Sequence, residues 1–451
     1  MSESPALRTA RRRYLAVSAL FWLPIGLAFA PAVLLFTERG MSLTAVAAFF
    51  AAHSLTAAAL ELPTGGLSDV LGRRSVLAAA GLLDVVALML LGLGSSYAAF
   101  AVGMGLKGVA RALSSGPGEA WYVDTVQAHS GPDADLRTGL SRGGAATSAA
   151  LAAGTLVGGA VPWLLGLGPD LGARLSEATG GVVLPLSVPV LAGAAVSIVF
   201  VVYVLTMLRE PPRKPATPSS VLRGVPATIC AGLRLSISEL TVRRVLLSAG
   251  AAGAALATVE LLMPGRAAGL TGTAESGAVL FAALACAGFA TSGLGSALAP
   301  LAARLTRSGE HAVLAGLGVS AGGLLLLGVT ATSSGPLSLV VAVGGFILFY
   351  LGLGAASPNE NELLHHRVSS EQRATALSVQ SLAQQLVYAL SGLAVSALPV
   401  GPLPWLFGSA ALLAGAALWI RRPAPVPAPV ARIASASPVD VSGRPGTPPT
   451  P

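Results

Sequence analysis

Charged residues are scarce in this sequence. They make up 11% of the 451 residues, whereas apolar side chains make up 53%, and a soluble globular domain has roughly 25% charged residues. A chain with so few charges could not cover the surface of a water-soluble fold of this size. The composition therefore predicts an integral membrane protein.

Cysteine is also nearly absent, because the chain holds only Cys230 and Cys286. Cys230 falls in a predicted loop and Cys286 inside a predicted membrane-spanning helix, so no disulfide framework is indicated. The adjacent His365 and His366 lack the spacing of a tetrahedral metal site. The sequence has no Gly-x-x-x-x-Gly-Lys-Ser/Thr motif that would bind ATP. We therefore expect neither a metal nor another cofactor.

Basic residues outnumber acidic ones and give a formal net charge of +8. They are scattered at the ends of apolar segments and form no basic stripe with interleaved aromatic residues, which argues against nucleic-acid binding. If the N-terminus is cytoplasmic, most of them fall in cytoplasmic segments and the outer loops hold only Arg39, Arg174 and Arg266. By the positive-inside rule, this predicts that both termini are cytoplasmic. The expected location is a plasma membrane, most simply a bacterial inner membrane.

Apolar blocks are abundant, and each is long enough to cross about 30 Å of hydrocarbon as a helix of about 20 residues. The 54 glycines fit such helices, because small residues let helix backbones approach closely within a bilayer. The fold class predicted is an all-α membrane protein with twelve spans. The predicted spans are 14–36, 42–64, 75–95, 97–120, 138–165, 182–208, 244–265, 277–302, 311–331, 336–357, 373–398 and 402–420.

The spans are predicted to form two six-helix halves. A long segment that begins with the helix-breaking residues Glu210, Pro211 and Pro212 separates them. The hairpin after the second span and the hairpin after the eighth share a loose pattern, which suggests an internal repeat. The last residues are rich in Pro, Ala and Ser and are expected to be disordered. The predicted organisation is a first half over 1–208, a cytoplasmic loop over 209–243, a second half over 244–421 and a tail over 422–451.

Residues 65–74 read Gly-Gly-Leu-Ser-Asp-Val-Leu-Gly-Arg-Arg and lie between the second and third spans. Glycines permit a tight reversal there, an aspartate can cap a helix, and two arginines can hold a carboxylate. The stretch resembles the signature of the major facilitator superfamily, Gly-x-x-x-Asp-basic-x-Gly-Arg-basic, and departs from it at Val70. The matching positions are Gly65, Asp69, Gly72, Arg73 and Arg74.

Three further stretches resemble a drug-exporter-like branch of that superfamily. They are residues 61–65 (Glu-Leu-Pro-Thr-Gly), 118–124 (Gly-Glu-Ala-Trp-Tyr-Val-Asp) and 373–378 (Arg-Ala-Thr-Ala-Leu-Ser). The branch's fifth-helix motif, Gly-x-x-x-Gly-Pro-x-x-Gly-Gly, is present only as Gly154-x-x-x-Gly158-Gly159-x-x-Pro162.

The resemblance implies two bundles around a central cavity that opens to each side of the membrane in turn, lined mainly by the first, fourth, seventh and tenth spans. For the gate, we expect Asp69 to approach the start of the eleventh span near Arg373. We also expect Arg73 to contact Asp124, with both contacts breaking when the cavity opens inward.

Ionisable residues inside spans are costly and are therefore candidate functional residues. Asp84 in the third span and Lys107 in the antiparallel fourth lie at similar depth, so we expect them within about 6 Å of each other. They are interpreted either as a structural ion pair or as groups that contact substrate or protons. Both interpretations stay open from the sequence.

Arg111 lies four residues after Lys107 and so shares its helix face. It is interpreted as a cavity residue or as the partner of Glu119. Glu260 in the seventh span has no obvious basic partner at its depth and is the leading candidate for a proton carrier, with Asp84 second. The alternatives for Glu260 are a pair with Arg266 or a place at a water-exposed rim.

The function predicted is proton-coupled export of small amphipathic molecules by a monomeric secondary transporter. Its expected partners are therefore the substrate, protons and the lipid bilayer. Nutrient uptake is the first alternative, and a membrane sensor that does not transport is another. An enzyme is disfavoured, because no nucleophile and base or metal-ligand cluster occurs within the spans.

Overall fold

Long apolar helices dominate the computed structural model, which describes residues 5–65, 67–131, 134–210, 239–333, 335–368 and 373–420. These residues contain no β-strand. The helices are α1 (Pro5–Phe29), α2 (Ala32–Glu38), α3 (Leu43–Gly65), α4 (Leu67–Leu71), α5 (Arg73–Leu93), α6 (Tyr97–Ser114), α7 (Pro117–Ser130), α8 (Arg137–Leu165), α9 (Leu171–Ala178), α10 (Ser187–Met207), α11 (Leu240–Thr271), α12 (Ala274–Leu305), α13 (Gly309–Val329), α14 (Pro336–His365), α15 (Arg373–Ser396) and α16 (Pro402–Ala417). Residues 211–238 of the predicted loop (209–243) and the predicted tail lie outside the described residues. The end of that loop is wrong, because α11 already begins at Leu240.

The helices confirm a multi-pass integral membrane protein. Eight of them are long and apolar enough to cross a bilayer, and the bent pair α1 and α2 makes a ninth if it is one span. The three others that match predicted spans are shorter or more polar. Helix α16 has only 16 residues, the 18 residues of α6 include Lys107 and Arg111, and α15 carries Gln380, Gln384 and Gln385. The count of twelve spans and the cytoplasmic placement of both termini stay predictions.

Two predicted spans are interrupted. The first bends by 42° between α1 and α2, where Pro31 has no N–H to continue the helix. The predicted span 97–120 is wrong at its end, because α6 stops at Ser114 and Gly116 adopts φ 96°. Pro117 then starts α7, so Glu119 lies in the first turn of a new helix. Glu119 therefore does not extend the helix face that carries Arg111.

We refer to α1–α10 as the first half and to α11–α16 as the second half. Within the first half, α1 packs on α8 and α10, and α5 packs on α6 and α10; within the second, α11 packs on α15 and α16, and α13 on α14. The two halves meet mainly through α3 against α15 and α8 against α12. These two contacts define the interface between the halves.

One end of this interface is closed by buried apolar side chains, which we call the sealing cluster. It includes Val33, Phe36 and Val46 of the first half and Leu261, Ala278 and Val395 of the second. Because α2, which carries Val33 and Phe36, follows the last residue of α1, the sealing cluster lies at the end of the interface opposite the start of α1. The two halves are therefore sealed against each other at that end.

Glycines on α8 set how closely its neighbours approach. A β-carbon at Gly154 would lie 2.6 Å from the carbonyl oxygen of Leu23 on α1, and one at Gly158 would overlap the Leu27 backbone. Gly159 faces the second half, where a β-carbon would lie 2.6 Å from the carbonyl oxygen of Ala278 on α12. Gly154 and Gly158 thus pack α8 within its own half, whereas Gly159 lets the two halves touch.

Candidate functional site

A cavity of about 430 Å³ lies between the two halves. Much of its wall is apolar, with Phe29, Phe50, Met104, Leu256 and Phe281 among the lining residues. Its polar and charged lining side chains come from α3 and α6 of the first half and from α11 and α15 of the second. They include His53, Glu61, Lys107, Arg111, Glu260, Ser381, Gln384, Gln385 and Tyr388. The expected lining by the tenth span is wrong for the described residues, because that span, α14, packs on α12 and α13, and the second and eleventh spans line the cavity instead.

Asp84 and Lys107 form an ion pair, with 3.0 Å between Lys107 Nζ and Asp84 Oδ1. Ser197 donates a second hydrogen bond to Asp84 Oδ2 at 2.8 Å. Asp84 is only 6% exposed and lies behind Lys107, which is the member of the pair that lines the cavity. The predicted pairing is confirmed. A role for either residue in transport stays a prediction.

Breaking this pair from its two sides is expected to have unequal effects on stability. Removing one partner of a buried pair costs about 3–5 kcal/mol. Lys107→Met leaves Asp84 charged away from the cavity and should lie at the upper end of that range. Asp84→Asn leaves Lys107 facing the cavity, where water can solvate it, and should cost less. Thermal unfolding of the purified protein measures the difference.

The double variant Asp84→Asn/Lys107→Met is the control for this prediction. Because it leaves no unpaired charge, it should unfold closer to the wild type than Lys107→Met alone. Equal midpoints for the two single variants would contradict the assignment of Lys107 to the cavity side.

Arg111 lies one helical turn from Lys107 on α6 and also lines the cavity. Its guanidinium stacks over Trp22, with 5.3 Å from Cζ to the ring centroid. Among the described residues, no carboxylate lies within ion-pair distance of Arg111, Glu119 included. The interpretation of Arg111 as the partner of Glu119 is therefore wrong, and its interpretation as a cavity residue agrees with its position.

Glu260 projects from α11 into the cavity, where Tyr388 on α15 donates a hydrogen bond to Glu260 Oε2 at 2.7 Å. No ion pair to Glu260 occurs among the described residues. Arg266 instead donates to the carbonyl oxygen of Leu327 and to Thr330 Oγ1, both at 2.8 Å. The alternative of a Glu260–Arg266 pair is therefore wrong.

Glu61 is a cavity residue that was not predicted from the sequence. It accepts hydrogen bonds from Gln385 Nε2 at 3.1 Å and from Ser381 Oγ at 3.4 Å. Glu61 lies on α3 and its two donors on α15, so this contact joins the halves. The available signal was an acid within an apolar span, which is costly without a function or a partner.

The signature segment lies at the end of the molecule where α1 begins. Arg73 Nε donates to Asp124 Oδ2 at 2.8 Å, so the predicted contact is present. Arg74 binds Glu210 through its backbone N–H at 2.6 Å and the carbonyl oxygen of Leu205 through its guanidinium. Gly72 adopts φ 101°, a conformation that favours glycine.

The gating role of this segment stays a prediction. Arg73 and Asp124 both belong to the first half, so their ion pair alone does not join the two halves. The other part of the predicted gate depends on Asp69 and Arg373, whose side chains lie outside the described part of the structure.

The chain matches the family model described as Major Facilitator Superfamily over residues 14–392. It is similar in structure to a nucleoside transporter, NupG, with a TM-score of 0.71, 13% identity and coverage of 92% of this chain and 100% of that one. A bacterial homolog of the human lysosomal transporter Spinster, solved in an inward-facing and unoccupied conformation, gives a TM-score of 0.68, 15% identity and coverage of 93% and 96%. A D-xylose-proton symporter gives 0.67, 15% identity and coverage of 93% and 98%. No curated protein sequence matches the chain significantly.

Proposed function

This chain belongs to the major facilitator superfamily, and from that premise we propose that it is a secondary transporter that exports small amphipathic molecules in exchange for protons. The observation that carries the proposal is the cavity between the halves, which combines apolar walls with a carboxylate, Glu260, from the second half. Binding pockets of this kind, with few polar groups in an apolar wall, are typical of small-molecule sites.

Alternating access is supported by the way the halves meet. The sealing cluster closes one end of the cavity, and the lining extends away from it as far as Ser115 at the end of α6. With the N-terminus in the cytoplasm, as the basic residues predict, this conformation faces the cytoplasm. The Arg73–Asp124 ion pair is formed in it, so on this assignment that contact does not break when the cavity opens inward, contrary to the expectation from the sequence. Rocking of one half against the other around the cavity would open the opposite side.

Glu260 is the proposed proton carrier. It faces the cavity and has a neutral hydrogen-bond donor, Tyr388, in place of a cation. A low-dielectric cavity disfavours an unpaired charged carboxylate, so such a group can take up a proton on one side of the membrane and release it on the other. Asp84 is a weaker candidate, because Lys107 compensates its charge.

Export into the medium across a plasma membrane is proposed from the resemblance of residues 61–65, 118–124 and 373–378 to the drug-exporter-like branch. Proton-coupled uptake is the second candidate. Two observations support uptake as the alternative. The fifth-helix motif of the drug-exporter-like branch is incomplete at Gly154, Gly158 and Gly159, and a structural neighbour is itself named as a D-xylose-proton symporter.

The direct test uses inverted membrane vesicles with an acidic interior and a panel of fluorescent amphipathic dyes, one cationic, one neutral and one anionic. Export predicts that at least one dye accumulates and that a protonophore releases it. Accumulation only in right-side-out vesicles with an acidic exterior would establish uptake instead. Absence of protein-dependent flux for every dye in both preparations would contradict the proposal.

A further inference from the structure

The carboxylates of the cavity and its cationic groups differ in how much of their hydrogen-bonding capacity the described residues use. Every carboxylate at the site already has protein donors: Glu61 has Gln385 and Ser381, and Glu260 has Tyr388. Asp84, behind the wall, is held by Lys107 and by Ser197. The carboxylate acceptors of the cavity are therefore hydrogen-bonded within the protein.

The guanidinium of Arg111 differs from these groups. It offers five N–H donors and no acceptor, its side chain is exposed to the cavity, and its described contact is the face of Trp22. None of the described residues supplies it with a hydrogen-bond acceptor within bonding distance. The described cavity wall thus supplies no hydrogen-bond acceptor to Arg111, and a ligand that binds there would have to supply one.

Lys107 lies one turn away on the same face and adds to this requirement. Its ammonium has three donors, of which the described contacts use one, to Asp84 Oδ1. Two cationic donor groups therefore line one wall of a cavity whose other surfaces include Phe29, Phe50 and Phe281. A ligand that complements these walls has an anionic group at one end and an apolar body.

We propose that the substrate is an amphipathic organic anion whose carboxylate, or an equivalent oxyanion, binds Arg111 through two parallel hydrogen bonds, with Lys107 as the second cationic contact. A guanidinium matches the geometry of a carboxylate in this way, and such charge-assisted pairs are stronger than neutral ones. The inference rests on the proposed transport function and specifies its substrate class.

Besides the hydrogen-bonded Glu260 and Tyr388, two other ionisable side chains face the same cavity and bear on this assignment. Glu61 is negative but lies beyond ion-pair distance of Arg111 and is bound by α15. His53 lines the wall on α3, and its Nδ1 is buried without a hydrogen-bond partner. Since Coulomb energy falls with distance, an anion in direct contact with Arg111 is governed by that cation and not by the more distant Glu61.

The test is equilibrium binding to the purified full-length protein at pH 7.5 and low salt, measured by calorimetry. The probes are 4-phenylbutyrate, 4-phenylbutyramide and 4-phenylbutylamine, which share one skeleton and differ in charge, with 8-phenyloctanoate as a longer anion. We expect a carboxylate to bind at least about tenfold more tightly than the matched amide, as a hydrogen bond to a charged group implies. We also expect the amine to bind no better than the amide.

Variants assign this binding to Arg111. Arg111→Gln should remove the preference for the carboxylate, Arg111→Lys should retain part of it, and Arg174→Gln, at an exposed arginine on α9, should leave it unchanged. Quenching of Trp22 emission on binding, absent in Trp22→Phe, locates the anion beside Arg111. Each variant is first compared with the wild type by gel filtration, and the conservative Arg111→Lys keeps the test valid if Arg111→Gln misfolds.

Equal affinity for the three charge types, preference for the amine, or failure of both carboxylates to bind would overturn the inference. So would an undiminished carboxylate preference in Arg111→Gln. The vesicle assay separates this failure from failure of the proposed function. Flux of cationic or neutral dyes without anion binding would remove only the substrate class, whereas carboxylate binding without flux of any dye would support the anion site and contradict transport.

Discussion

Glu260→Gln is expected to abolish proton coupling while leaving the substrate cavity intact. In proteoliposomes, substrate addition should no longer move protons, and a pH gradient should no longer drive accumulation. Downhill exchange of substrate should continue. The measurement pairs a pH-sensitive dye inside the vesicles with substrate flux, recorded with and without the imposed gradient.

The physical reason is that the substitution removes the titratable proton and changes little else at the site. Glutamine keeps the length of the side chain and a carbonyl oxygen that can accept the hydrogen bond of Tyr388, which is 2.7 Å long in the wild type. What it cannot do is bind and release a proton near neutral pH. Loss of coupling with retained exchange would therefore identify proton transfer as the function of Glu260.

Two variants serve as controls for Glu260→Gln. Glu177→Gln changes an exposed acid on α9 and should couple like the wild type. Asp84→Asn tests the second candidate, and retained coupling there would agree with its role as the ion-pair partner of Lys107. Substrate-induced proton movement of wild-type stoichiometry in Glu260→Gln would exclude Glu260 as the carrier.

The pairing of Asp84 with Lys107 could be predicted from the sequence because depth in a membrane helix follows from counting residues at a rise of about 1.5 Å each. The isolation of Glu260 from basic residues could be predicted in the same way. Both inferences use position along one helix or along two antiparallel neighbours. Neither requires knowing how the two halves meet.

The contacts of Glu61 could not be predicted by such counting. Its donors, Ser381 and Gln385, belong to the other half, and whether they face α3 depends on the packing of α3 against α15. The break at Gly116 was missed for a different reason. Hydropathy averages over a window, while the turn is encoded by two residues, Gly116 and Pro117, whose types disfavour a continuous helix.

The geometry at α8 gives the incomplete fifth-helix motif a physical interpretation. Gly158 and Gly159 are adjacent but face different helices, because successive residues point in directions about 100° apart on a helix of 3.6 residues per turn. Gly158 packs on α1 of the same half, and Gly159 packs on α12 of the other half. The motif therefore contains two positions that act within a half, Gly154 and Gly158, and one that acts between the halves, Gly159.

Gly159→Val is accordingly expected to abolish transport without preventing folding or membrane insertion. A valine side chain there would overlap Ala282 and the Ala278 carbonyl group on α12, and packed interiors do not absorb added volume without displacement. The two halves could then no longer close at the end sealed in this structure. Substrate flux should fall to that of vesicles without the protein.

Cys286 gives this prediction an independent measurement. Its thiol lies 3.4 Å from the Ala152 carbonyl oxygen, across the same contact between α12 and α8. In a Cys230→Ser background it is the only thiol, and separation of the helices by Gly159→Val should speed its reaction with a maleimide. Gly144→Val is the matched control on α8, because a β-carbon at Gly144 meets open space, and it should retain flux and wild-type thiol reactivity. Wild-type flux and unchanged Cys286 reactivity in Gly159→Val would show that α8 and α12 need not touch during the transport cycle.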